Sequence, residues 1–170
     1  MPRVIVLVGP KGAGKSTIGD MLEKRLDIRF VRVEPVFKSV HDLLGASHPD
    51  YERRGFEAVL SLLKTELALR EPICFESTGA SRYFPWLVSQ LGQSATALPV
   101  RVTADDAQCL DRIHHRDARI HIPVSDDRIL QINRLAMAVA LPWAAKIDNR
   151  GPFDPESIAG VMGMVLANNP

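Results

Sequence analysis

Only two cysteines, Cys74 and Cys109, occur in the 170 residues, and no Cys-x-x-Cys pair joins them. Thiolate metal and redox chemistry are thereby disfavoured, and two buried free thiols are expected. An excess of one charge is also missing. Twenty-one basic residues face 20 acidic ones, leaving a net charge of +1. No overall field exists to hold a long polyanion or an acidic membrane surface, so any anion must be held locally. Extensive nucleic-acid binding is not expected. Long apolar runs are absent as well: the longest early one, Val4 to Val8, is too short for a signal-peptide core or a membrane span. The expectation is a soluble, cytoplasmic protein with no membrane partner. No linker, repeat or low-complexity tract divides the chain, and the length suits one domain over residues 1–170, against a prior of about 150 residues per domain. With 46% apolar and 24% charged residues it can bury an ordinary core.

What is present alternates strand and helix. Arg3 to Val8 reads as a β-branched strand buried on both faces, stopped by Gly9-Pro10. Ile18, Met21, Leu22 and Leu26 repeat at helical spacing, so a helix starts near Lys15. Ile28 to Val33 predicts a second strand, followed by a helix through Val36, Val40, Leu43 and Leu44 and a turn over Gly45 to Asp50. Tyr51 to Arg70 is the longest helical pattern, with Phe56, Val59, Leu60, Leu63 and Leu67 on one face. Pro72 to Phe75 gives a short strand ending in Glu76, and Leu98 to Val102 a further one.

Thr103 with Asp106 resembles a capping box for a helix carrying Cys109, Leu110 and Ile113. After a polar loop from His114 to Val124, Ser125 caps a helix through Ile129, Ile132, Ala136 and Val139 that Pro142 ends. Ala144 to Ile147 is the last strand, and Asp154-Pro155 opens a final helix striped by Ile158, Val161, Met162, Val165 and Leu166. Five strands alternating with helices imply an α/β fold: a parallel sheet between two helical layers.

The segment Gly9-Pro10-Lys11-Gly12-Ala13-Gly14-Lys15-Ser16-Thr17 matches the Walker A spacing, with Gly9, Gly14, Lys15 and Ser16 at the required places. Glycines let the backbone turn around a phosphate so that successive N–H groups point inward, and the following helix adds its positive end. Lys15 supplies a mobile cation for the β and γ phosphates, and the Ser16 hydroxyl can complete a magnesium shell. The match follows the first buried strand and precedes an amphipathic helix, which is the context the motif requires.

Other features narrow the class. There is no Asn-Lys-x-Asp segment to read guanine, which disfavours a GTPase switch, and no strand ending in adjacent Asp-Glu, as an ATPase motor would carry. Four segments together resemble the shikimate and gluconate kinases and the short AAA-domain kinases near zeta toxin and polynucleotide kinase. They are the cradle, Val33-Glu34-Pro35, the turn Glu76-Ser77-Thr78-Gly79-Ala80, and Arg112 through Pro123 with Val124-Ser125-Asp126.

The resemblance implies a P-loop fold with strand order 2-3-1-4-5, ATP and magnesium as cofactors, and a short lid around residues 114–124. It places Gly9, Gly12, Ala13, Gly14, Lys15, Ser16 and Thr17 on the phosphates and Arg112 on the adenine, with Asn149 and Pro152 wrapping the base. Glu34, at the end of the second strand, would face the acceptor hydroxyl, although the family more often has aspartate there. Arg116 or Arg119 would join Lys15 in neutralising the transferring group. Glu76 would hold a magnesium-bound water or a substrate group, beside Ser16. Thr78 and Gly79 resemble the substrate turn of shikimate kinases, but Ala80 and Ser81 replace further glycines, which argues against shikimate itself. Arg54 could bind a substrate anion.

Each of these has a plainer alternative: a solvated strand-end charge for Glu34, an exposed helix end for the arginines, a turn for Asp148 to Pro152, a solvated face for Arg53 and Arg54. His114, His115 and His121 fit no standard zinc spacing. The reading that follows is a kinase moving a γ-phosphoryl group to a hydroxyl of a small molecule or nucleotide, monomeric by default. A polynucleotide-end or toxin-like kinase and a nucleotide-binding regulatory ATPase remain as alternatives.

Overall fold

Arg3–Val8 forms β1, and its residues alternate between two apolar layers. Ile5 and Leu7 join Ile18 and Leu22 of α1 (Lys15–Leu26) and Ile158 and Met162 of α7 (Pro155–Ala167). Val4, Val6 and Val8 join Val59 and Leu63 of α3 (Tyr51–Leu69) and Leu87 and Leu91 of α4 (Phe84–Gly92). A strand covered on both faces this way must lie inside a sheet sandwiched by helices. The computed structural model describes residues 1–117, 119 and 121–169. Residues 118 and 120 of the expected lid and residue 170 lie outside the described residues.

The sheet is five-stranded and wholly parallel, in the order β2-β3-β1-β4-β5, with β2 at Arg29–Val31, β3 at Ile73–Ser77, β4 at Thr96–Thr103 and β5 at Ala145–Asp148. This is the order expected from the resemblance. The chain leaves β1 for β2 on one side and later returns to β4 on the other. That reversal opens a crevice at the carboxyl ends of the central strands, where ligands bind in such sheets. Between these strands run α2 (Glu34–Leu44), α5 (Asp106–His114) and α6 (Asp126–Ala138).

Several boundaries differ from expectation. The second strand is shorter, because Glu34-Pro35 already begins α2, with Val33 at its N-cap. The fourth is longer and contains Pro99. Its carbonyl accepts from Ala144 N at 2.8 Å on the β5 side, and β5 pairs only from Val100 onward, so the missing N–H costs nothing. The capping box does not form: Thr103 ends β4, and α5 is capped by Asp105 without a side-chain bond. The caps at Ser125 and Asp154 do form, accepting from Arg128 N at 3.4 Å and Ser157 N at 3.1 Å. Helix α4 was not anticipated. Phe84, Leu87 and Leu91 are buried at helical spacing behind Pro85, and a parallel crossover from β3 to β4 needs such an element. Among the described residues, no helix is long and apolar enough to cross a membrane.

Candidate active site

Between β1 and α1 the chain makes a tight loop over residues 9–14 that only glycine can complete at three points, the first being Gly9, where a Cβ would lie 2.0 Å from the Val102 carbonyl oxygen. Gly12 has φ +81°, and a Cβ there would lie 2.3 Å from the Cys109 carbonyl oxygen. Gly14, at φ +88°, would place one 2.4 Å from Asn149 Nδ2. At Gly12 and Gly14 positive φ adds to the crowding, by backbone at the first and by the Asn149 side chain at the second, and excludes larger residues. The loop ends in the N-terminus of α1, whose first N–H groups form an anion-attracting end.

Three distant parts of the chain brace this cradle. Asn133, buried on α6, accepts from Lys11 N at 2.7 Å and donates to Lys11 O at 3.3 Å. Arg112 of α5 donates to Gly12 O at 3.3 Å and to Asn149 O at 3.1 Å. Asn149, buried just after β5, donates to Ala13 O at 2.8 Å. The backbone geometry of the loop is therefore set from outside as well as from within.

Lys15 Nζ donates to Gly9 O at 2.9 Å and Pro10 O at 2.6 Å. Burial pushes its ammonium down from 10.5 to about 8, against the pull of Glu76. Burial likewise lowers Lys11; Arg116 adds to this, and Glu34 and Glu76 oppose it. The Ser16 hydroxyl donates to Glu76 Oε1 at 2.6 Å, so a loop hydroxyl and a β3 carboxylate meet across the crevice.

The cradle opens into a cavity of about 1020 Å³ that also reaches Glu34, Thr78, Arg116 and His121. This lies at the upper end of the range of about 300–1,000 Å³ for small-molecule sites, room for a donor and an acceptor together. Glu34 Oε2 lies 2.9 Å from His121 Nδ1 without hydrogen-bond alignment, and Glu34 Oε1 and that nitrogen are both buried with no hydrogen-bond partner. Both atoms belong to side chains that border the cavity, and buried polar atoms left this way call for partners.

The expected residues fall into two groups. Gly12, Gly14, Lys15, Ser16, Thr17, Glu34, Glu76, Thr78, Arg112 and Arg116 line the cavity. Gly9 and Ala13 belong to the loop but do not border the space. Gly79, at φ +73°, is wedged between Val8 and Val139 instead, each 3.0 Å from where its Cβ would stand. Val139 is the C-cap residue of α6. Asn149 and Pro152 border a separate cavity of about 240 Å³. Arg54 is exposed and off the main cavity, as is Arg119, whose guanidinium is held by Asp117 at 2.8 Å.

Sequence reasoning missed Lys11, Asn133 and the approach of His121 to Glu34. Asn133 carried a signal: it stands four residues after Ile129 and three before Ala136 on the buried stripe of α6, a polar side chain in a core position. The histidines diverge, His114 to Asp126 at 2.9 Å and His115 to the Asp111 carbonyl at 2.8 Å. Among the described residues no cluster of three histidine, cysteine or acidic side chains forms a self-contained metal site.

Comparison with known proteins bears on this geometry. A family model described as an AAA domain matches residues 5–131. The shikimate kinase of Paramagnetospirillum magneticum is 31% identical over 150 residues, covering 86% of this chain and 73% of that protein. A sugar kinase structure from Janibacter sp. superposes with a TM-score of 0.70 at 13% identity, over 100% of this chain and 97% of that one. A shikimate kinase structure from Aquifex aeolicus gives 0.63 at 18% identity, over 98% and 97%. The two structures share the fold.

Proposed function

From the premise that this chain belongs to the AAA domain family and is a P-loop kinase of the shikimate and gluconate kinase type, we propose that it transfers the γ-phosphoryl group of magnesium-bound ATP to a hydroxyl of a small molecule or nucleotide. The observation that carries the reading is one cavity joining the cradle to Glu34, whose buried Oε1 has no hydrogen-bond partner.

Phosphoryl transfer asks for positioning and charge neutralisation more than covalent chemistry. The loop amides and Lys15 hold the β and γ phosphates, Lys15 giving up its carbonyl partners for phosphate oxygens. The Ser16 hydroxyl and Glu76 offer hard oxygen ligands 2.6 Å apart, a donor set suited to magnesium directly or through its waters. Magnesium there would supply charge neutralisation on the phosphate chain. Glu34 takes the acceptor's hydroxyl proton as the new P–O bond forms and the bond to the ADP oxygen breaks.

Arg116 stands beside Lys11 on the cavity and neutralises the group in flight. Arg119 would first have to leave Asp117 to share that task. Arg112, pinned by two carbonyls, offers a planar guanidinium to the base.

The test separates binding from transfer. ATP with magnesium should raise the melting temperature of the wild-type chain by mass action. Lys15→Ala should remove that rise, while Glu34→Gln should keep it and lose acceptor-stimulated ADP release. Unchanged release in Glu34→Gln would refute the assignment of the base.

A further inference from the structure

The cavity has a second wall whose chemistry differs from that of the cradle. From Val33 to Phe56 it is bordered by Glu34, Phe37, His41, Tyr51, Glu52 and Phe56, and among the described residues of that stretch no lysine or arginine reaches it. His41 and His48 line it, but the lysine and arginine side chains there turn elsewhere. Arg53 pairs with Asp50 at 3.1 Å and Glu57 at 2.8 Å, Lys38 pairs with Asp42 at 3.0 Å, and Arg54 is exposed. The cations that do line the cavity, Lys11, Lys15, Arg112, Arg116 and Arg128, come from the cradle, from α5 and its following segment, and from α6.

Two carboxylates share the second wall. Burial pushes the Tyr51 phenol up, and the charges of Glu52 and Glu34 both add to it. Aromatic edges build the rest. Phe37 meets Phe56 with centroids 5.2 Å apart and planes at 73°, and His41 meets Tyr51 at 5.9 Å and 78°. Gly55 fixes this arrangement in mid-helix, since a Cβ there would lie 2.4 Å from the Phe37 ring. Glu34 has Lys11 of the cradle to offset it, but among the described residues Glu52 pairs with no cation, so an acceptor bearing a carboxylate or phosphate would bring its charge to an unbalanced carboxylate, a mismatch that selects against such compounds.

Resting on the kinase reading above, we propose that the acceptor is a hydroxylated ring compound with no acid group. Its ring lies against Phe37, Tyr51 and Phe56, and any protonated amine it carries pairs with Glu52. Its hydroxyl oxygen bonds to the γ-phosphorus, the bond from that phosphorus to the ADP oxygen breaks, and the hydroxyl proton passes to Glu34.

The experiment measures ADP release from ATP and magnesium with hydroxyl compounds of differing charge. Adenosine and uridine are the uncharged probes, glucosamine the amine, shikimate and gluconate the carboxylates, and a 5′-hydroxyl oligonucleotide the polyanion. Uncharged or amine-bearing probes should raise release at least about tenfold over the rate without acceptor, and the acidic ones should not. Glu52→Gln should lower kcat/KM for the amine about tenfold more than for uncharged probes, and Glu52→Lys should move the preference toward carboxylates. Faster release with shikimate, gluconate or the oligonucleotide than with every uncharged or amine probe overturns the inference. So does silence from all uncharged and amine probes while ATP still raises the melting temperature in a Lys15-dependent way. If ATP itself gives no rise, the kinase reading falls first and the inference with it.

Discussion

The cradle and the α2–α3 wall border the same cavity but are held by different means. The cradle is backbone, folded tightly at Gly12 and Gly14 and tied by Asn133, Arg112 and Asn149 from three later parts of the chain. The opposite wall consists of side chains on α2, a helix with no buried residue, leaning on α3 through ring edges. A surface made of main-chain amides can serve any nucleotide triphosphate, because every such ligand presents the same oxygens. A surface made of exchangeable side chains can change its ligand without disturbing the fold. With the α2–α3 wall as the proposed acceptor surface, donor and acceptor recognition are separable in this molecule.

The sharpest way to break that separation is at the residue where the two walls meet. Glu34→Gln should cost about 10²–10⁴ in turnover, measured as acceptor-dependent ADP release, with ATP affinity within about threefold of wild type. If ATP affinity falls in parallel, the two walls are not independent. Next in size, Asn133→Ala leaves both polar groups of Lys11 without their side-chain partner, and should destabilise the fold by about 1–3 kcal/mol in urea melts while weakening ATP more than acceptor.

Gly55→Ala is the counterpart on the other side. Displacing the Phe37 ring should cost about 1–3 kcal/mol and raise the acceptor KM while leaving the ATP dependence unchanged. The smallest contrast is between arginines. Arg116→Ala should slow turnover more than Arg119→Ala, because only the former lines the cavity. Equal slowing would mean that Arg119 leaves Asp117 during the reaction.

The same contrast explains what could be read in advance. The strand, cradle and first helix were legible because their constraints are local: a strand buried on both faces, glycines at fixed intervals, then an apolar stripe from Ile18. The approach of Ser16 to Glu76 was legible only through the strand order that the resemblance implies, which brings the ends of β1 and β3 side by side.

Other residues resisted for identifiable reasons. Gly79 looked like a substrate turn, but its positive φ serves packing between Val8 and Val139, a contact between positions far apart in sequence. Arg119 and Arg116 look alike in sequence, and only the neighbouring Asp117 separates them. The acceptor wall could not be read, since Gly55 gains meaning only once Phe37 is known to lie across it.

One consequence of the bracing around the phosphate loop concerns the stretch from 114 to 124. It leaves α5 just after Arg112, which grips Gly12, and enters α6, whose Asn133 grips Lys11. Both helices that flank the stretch are thus tied to the phosphate loop, so a strain imposed on that loop by a docking triphosphate reaches α5 and α6 together, with no detour through the sheet.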